Sequence, residues 1–196
     1  MVRCTFSPPR AWRPAVVARL TPTLGRMTDI HTQIRNADRL EALYKQLGMT
    51  LWRLQELEGM VAQYYVLVAL ATRGMGISEG LALEKTVAGR TFGQAVNLLR
   101  DSKKIPSEVQ VRLPAIVKER NWLIHSSLND ERTAVYADDR CEAFLLRMET
   151  IVAEASAIIK IIGKSAETHV VHSGVSPQEI DRLTKQTLDS WRGDAA

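Results

Sequence analysis

The sequence predicts an all-α protein, an elaborated four-helix bundle with an extra C-terminal helix. Three observations carry that prediction. Apolar residues return every three or four positions from about residue 29 onward, no stretch alternates convincingly as a strand does, and start and stop signals bracket the periodic runs. With 196 residues, 45% of them hydrophobic, the chain has material for one well-filled core.

The first helix is predicted over Asp29–Leu47, with Ile30, Ile34, Ala37, Tyr44 and Leu47 on one face and Gly48 as its stop. A second follows from Thr50 to Arg73. Its Leu54, Leu57, Val61, Tyr64, Val68 and Ala71 form a bundle seam, and Gly74 and Gly76 end it. Residues 78–104 read as two shorter helices, the second opened by the capping box Thr91-Phe-Gly-Gln94. Pro106 breaks the pattern. A helix over Ser107–Leu128 follows, with Pro114 marking its first turn or a kink. Residues 128–138 are polar and read as a loop. The next helix, Asp139–Ile162, has the seam Cys141, Leu145, Met148, Val152, Ala155, Ile159 and Ile162, closed by Gly163. A linker over 164–175 leads to a last amphipathic helix, whose start carries Ser176 as cap, Pro177 in the first turn and Glu179. The expected organisation is a basic extension over 1–26, the bundle over 27–165, and the linker with its C-terminal helix over 166–196.

The net charge of +4 is unevenly placed. Residues 1–26 hold Arg3, Arg10, Arg13, Arg19 and Arg26 and no acid, so subtracting these five leaves −1 for residues 27–196. The body therefore offers no bulk attraction for nucleic acid, and any polyanion site must be local. The same 26 residues contain Pro8, Pro9, Pro14 and Pro22. They fit an organellar leader, a basic arm, or a disordered extension from an upstream start with Met27 opening the folded part, and the third reading is adopted. Cys4 and Cys141 alone make neither a disulfide framework nor a zinc module, and point to a reducing, cytoplasmic setting. No apolar run reaches the ~18 residues that span a bilayer. No cofactor or metal motif is present in the sequence.

Chemistry concentrates in Arg120–His125. On a helical wheel Leu113, Ile116, Val117, Leu123, Ile124 and Leu128 share one stripe, and Arg120 falls in its middle. A guanidinium cannot shed its charge, so that placement requires an ion pair or a wet cleft. Asn121 and His125 lie one turn apart at the border of the stripe. Arg120 and His125 are ~140° apart on an ideal helix, so they converge only through a bent side chain, a helix end or a second copy of the helix. Of these, a symmetric dimer is favoured.

The segment Glu119-Arg120-Asn121-Trp122-Leu123-Ile124-His125 resembles the Arg-x4-His motif of the HEPN superfamily, in which a polar residue, often Asn, commonly follows the arginine. The likeness extends over roughly residues 29–165, and the helix that starts at Thr91 is similar to the one preceding the motif helix in many members. The resemblance implies a metal-independent endoribonuclease acting as a homodimer, a toxin or phage-defence effector that needs no cofactor. In it His125 serves as general acid or base at the ribose 2′-hydroxyl and the leaving 5′-oxygen, Arg120 holds the scissile phosphate, and Asn121 orients the histidine or binds a phosphate oxygen. Some toxins of the superfamily carry a modifiable tyrosine two residues past the histidine. Ser127 stands there in this chain, so that regulation is not carried over.

Two competing readings are kept. One is a non-catalytic module of the same fold that binds RNA, a nucleotide, or a partner such as an antitoxin or nucleotidyltransferase. The other is a plain structural bundle in which Arg120 is ion-paired with Glu58 or Glu142 and His125 caps a helix end. Trp122 and the Tyr64-Tyr65 pair read as packing residues, and Lys103-Lys104 as a solvated helix end. His169 and His172 are expected as solvated loop histidines.

Overall fold

The computed structural model describes residues 30–193, so the expectation for residues 1–26 lies outside the described residues. Seven α-helices and no strand are found among the described residues. They are α1 (Ile30–Tyr65), α2 (Ile77–Ala88), α3 (Phe92–Asp101), α4 (Arg112–His125), α5 (Ser127–Asp130), α6 (Asp138–His172) and α7 (Pro177–Arg192). A π-helical turn (Val66–Leu70) continues α1, and a 3₁₀ turn (Ser107–Val109) precedes α4. The all-α bundle predicted from periodicity is what the chain forms. No helix among the described residues is long and apolar enough to cross a membrane.

The two long helices α1 and α6 form the spine, packed along each other, with α3 against α1 and α4 against both α3 and α6. Arg39 near the start of α1 pairs with Asp138, the first residue of α6, so the spine helices begin at the same end and run parallel. The pairs Arg112–Glu154 and Glu119–Arg147 fix α4 antiparallel to α6. Between the layers lies one continuous core that includes Leu54, Leu57, Val61, Leu99, Leu113, Ile116, Met148, Ile158 and Ile162.

Predicted Gly48 stops nothing: α1 is a single helix of 36 residues, and the expected pair Asp29–Leu47 and Thr50–Arg73 is corrected accordingly. A glycine ends a helix when it turns left-handed, and among the described glycines only Gly74, Gly174 and Gly193 have positive φ. Thr50, fully buried, donates its hydroxyl back to the Gln46 carbonyl across the join. Gly48 is thus a helix-interior glycine, and a Cβ there meets nothing within 4 Å. Gly48→Ala is therefore expected to stabilise the protein by about 0.5–1 kcal/mol in denaturant unfolding, whereas a left-handed stop would lose stability. The α1 face predicted from Ile30, Ile34, Ala37 and Tyr44 is exposed, and Leu43 is buried instead. For Ile30, Ile34 and Ala37 the cause is positional, because residues before Arg39 precede the start of α6.

Gly163 likewise lies inside α6, which runs on to His172, so residues 164–172 of the predicted linker are helix and His169 and His172 sit in its last turn. Within α6 the buried set is Cys141, Phe144, Met148, Ile151, Ala155, Ile158 and Ile162. It shares four positions with the predicted seam and exchanges Leu145, Val152 and Ile159 for Phe144, Ile151 and Ile158. Both sets obey the three–four spacing of a bundle helix, and the neighbouring helices decide between them. The predicted Ser107–Leu128 helix is divided into the 3₁₀ turn, α4 and α5. Pro114 takes the first turn of α4, where it removes no intrahelical bond, and Leu128–Asp130 of the predicted loop belong to α5.

The predicted caps are present. Thr91 and Gln94 exchange both bonds of a capping box, and the Ser176 hydroxyl accepts from the Glu179 amide. Although α7 is amphipathic, with Ile180, Leu183, Leu188 and Trp191 along one side, it buries no residue.

Arg112 holds Glu154 through two bonds, at 2.6 and 2.8 Å, and the guanidinium lowers the carboxyl's pKa below its usual value. A depressed folded pKa contributes stability above the unfolded carboxylate range, and that contribution is lost as pH falls through the folded pKa. The pair is about one-third exposed, which limits its worth to about 0.3–1 kcal/mol. Glu154→Gln is expected to be less stable than the parent by that amount at neutral pH. The gap closes in acid, as paired urea titrations along a pH series would register.

Candidate functional site

The motif helix α4 is anchored by Leu113, Ile116 and Leu123 in the core, which orients the rest of its circumference. Ile124 (45% exposed) and Leu128 (81% exposed) leave the predicted stripe and face outward. The stripe narrows because α4 ends at His125 and the chain turns into α5, with the Ser127 hydroxyl donating to the Leu123 carbonyl.

Arg120 points at α1. Its Nε donates to Oε1 of Glu58 at 2.7 Å, and its Nη1 donates to Oδ1 of Asn121 at 3.3 Å. The two charged side chains keep 24% and 29% of their exposure, so the pair is reachable by solvent and not sealed in the core. Of the two acids considered from sequence, Glu58 is the partner and Glu142 is not. Asn121 is exposed beside the pair.

His125, the last residue of α4, is exposed and makes no hydrogen bond or ion pair among the described residues. The structure therefore bonds Arg120 to Asn121 and leaves His125 without a hydrogen bond or ion pair to either.

Trp122, expected as a packing residue, is clamped. Its ring lies 6.0 Å from Phe144, the Arg147 guanidinium stacks over it at 3.2 Å, and its Nε1 donates to Asp130 at 2.9 Å. Arg147 is held in turn by Glu119 at 2.9 Å. These contacts fix the pitch of α4 and so the direction in which Arg120 and His125 project.

Two cavities adjoin neighbours of the motif, although no residue of Arg120–His125 lines either. Beyond the end of α4 an apolar cleft of about 200 Å³ lies between the first half of α1 and the α5 turn, lined by Leu40, Leu43, Leu47, Leu128, Val135 and Phe144 among others. A second cavity of about 230 Å³ lies between α1 and the turn before α3. Gln55, Glu58, Gly59 and Arg90 line it above Val87 and Phe92. The sequence reading missed this second cavity. Its one signal was Gly59, a glycine inside a strong helical run with no turn to serve.

Among the described residues no group of three or more His, Cys, Asp or Glu side chains is placed to hold a metal ion. Comparison with known proteins found no family model, no curated protein and no solved structure that matches the chain.

Proposed function

We propose that the chain is a metal-independent endoribonuclease of the HEPN type, working as a homodimer across α4. The observation that carries the proposal is the order of side chains on that helix. Arg120 is bonded to Asn121, and one turn on stands an exposed histidine with no intramolecular partner among the described residues. An exposed imidazole has the chemistry of a general base or acid, and a guanidinium is suited to a phosphodiester. Exposed Ile124 and Leu128 beside His125, with the apolar cleft next to them, are the surface on which a second copy would seat.

In this reading His125 removes the 2′-hydroxyl proton and the freed oxygen attacks the adjacent phosphorus. The bond to the 5′-oxygen breaks, and that oxygen leaves with the proton that His125 took, which restores the imidazole. The products are a 2′,3′-cyclic phosphate and a 5′-hydroxyl, and Arg120 balances the charge that builds on the phosphoryl oxygens. A role as a toxin or phage-defence effector in the cytoplasm, checked by an antitoxin or nucleotidyltransferase partner, belongs to the same proposal.

Incubation of the purified full chain with total RNA in EDTA is the test. Cleavage that disappears in His125→Ala supports the proposal. RNA retention without cleavage in the parent protein replaces it with the binding module. The Arg120–Glu58 pair favours one further reading, a structural clamp between α4 and α1. That reading expects Arg120→Met to keep or raise stability and expects no RNA phenotype from any of these variants.

A further inference from the structure

The cavity lined by Glu58, the ion-pair partner of Arg120, has the chemistry of a single-base subsite, and we propose that it holds a guanine of the RNA next to the cut. This inference rests on the ribonuclease reading for its substrate and on the cavity for its specificity. At about 230 Å³ the space is below the size of ordinary small-molecule sites, and suits one flat base better than a folded nucleotide.

The floor is apolar, formed by Ala62, Val87, Phe92 and Ala95, all buried, against which a base can lie. Gly59 leaves the α1 side of the cavity open, since a Cβ built there meets nothing within 4 Å. The rim carries Gln55, Glu58 and Arg90.

Glu58 is the discriminating group. Arg120 engages only Oε1, and Oε2 has no partner among the described residues. A carboxylate accepts two parallel bonds, and Oε1 retains a lone pair after binding Arg120. Guanine is the RNA base that presents two adjacent donors, N1–H and the exocyclic N2 amino group, on its pairing edge. Adenine and cytosine set a ring acceptor beside their amino group, and uracil sets a carbonyl on each side of its N–H. Each of those three would bring an acceptor against the carboxylate, which costs the complex one bond and adds a repulsion. Gln55, which has no hydrogen-bond partner among the described residues, can donate its amide to guanine O6. Arg90, also unpaired among them, is exposed at the mouth, where the phosphate of the same nucleotide would pass. Because Glu58 also grips Arg120, a base on Glu58 sets the arginine against the neighbouring phosphodiester.

Gly59→Leu tests the subsite without touching Arg120, Asn121 or His125, because it fills open space and replaces a helix-interior glycine, so the fold is retained or stabilised. In the full chain carrying His125→Ala, guanosine 5′-monophosphate is expected to bind at least tenfold more tightly than the other three ribonucleoside monophosphates, followed by calorimetry. Gly59→Leu should weaken that binding at least tenfold. In the otherwise unaltered chain, sequenced RNA ends should be enriched in guanine at one position beside the cut, and Gly59→Leu should erase the enrichment. Equal binding of the four nucleotides, or guanosine monophosphate binding indifferent to Gly59→Leu, overturns the subsite. Cleavage of RNA with no base preference overturns it and leaves the ribonuclease standing. Guanosine monophosphate binding that Gly59→Leu abolishes, in a protein that cuts no RNA, keeps the subsite and rejects the ribonuclease.

Discussion

Alanine at position 125 is expected to lower RNA cleavage by about a hundredfold to ten-thousandfold while leaving the folded protein intact. The size follows from what a positioned acid or base contributes to phosphoryl transfer, and the safety of the fold follows from the surroundings. His125 is exposed, ends its helix and holds no other side chain among the described residues, so its removal costs the core nothing. Arg120→Ala should fall as far in cleavage, but with a second consequence. It strands Glu58, a partly buried carboxylate whose ion-pair partner is that arginine, so a loss of stability accompanies the loss of activity. Gel assays of a defined RNA, run beside thermal unfolding of each variant, separate the two effects. Full cleavage by His125→Ala would remove the histidine from the chemistry.

The largest effect on folding is expected at Leu57. Its side chain is fully buried on α1, the helix that packs most extensively with α6, and it adjoins the Glu58 that anchors α4. Leu57→Ala removes buried apolar volume and leaves a void that the rigid spine closes only in part, which costs about 2–5 kcal/mol. Denaturant titration reads this directly. A loss under 1 kcal/mol would mean that the spine helices can slide together to close the gap.

The starts of α3 and α7 were legible in the sequence because a cap is a local device: Thr91 and Ser176 satisfy amides three residues away. Helix ends were not. Gly48 and Gly163 carry the same letter as Gly74 and Gly174, yet only the latter two turn left-handed, and that choice depends on whether more packing surface follows. Register in α6 was half legible for a related reason, since two three–four patterns share Cys141, Met148, Ala155 and Ile162. At the site, the conflict between an arginine and an apolar stripe was visible, and Glu58 stood among the two acids considered. Its choice over Glu142 is a tertiary fact spanning 62 positions, which no local pattern encodes. The base-sized cavity was out of reach for the same reason, being assembled from α1 and the approach to α3.

The terminal helix α7 buries nothing, and this sets its dynamics apart from the rest of the chain. A 16-residue helix supported only by its caps and the local Glu179–Arg182 ion pair sits near the midpoint of the helix–coil balance in water. Its amide protons should pass to solvent at rates close to those of a free peptide, while those around Leu57 and Ile158 wait for the whole bundle to open. The last segment thus melts and re-forms many times over within the lifetime of a single folded molecule.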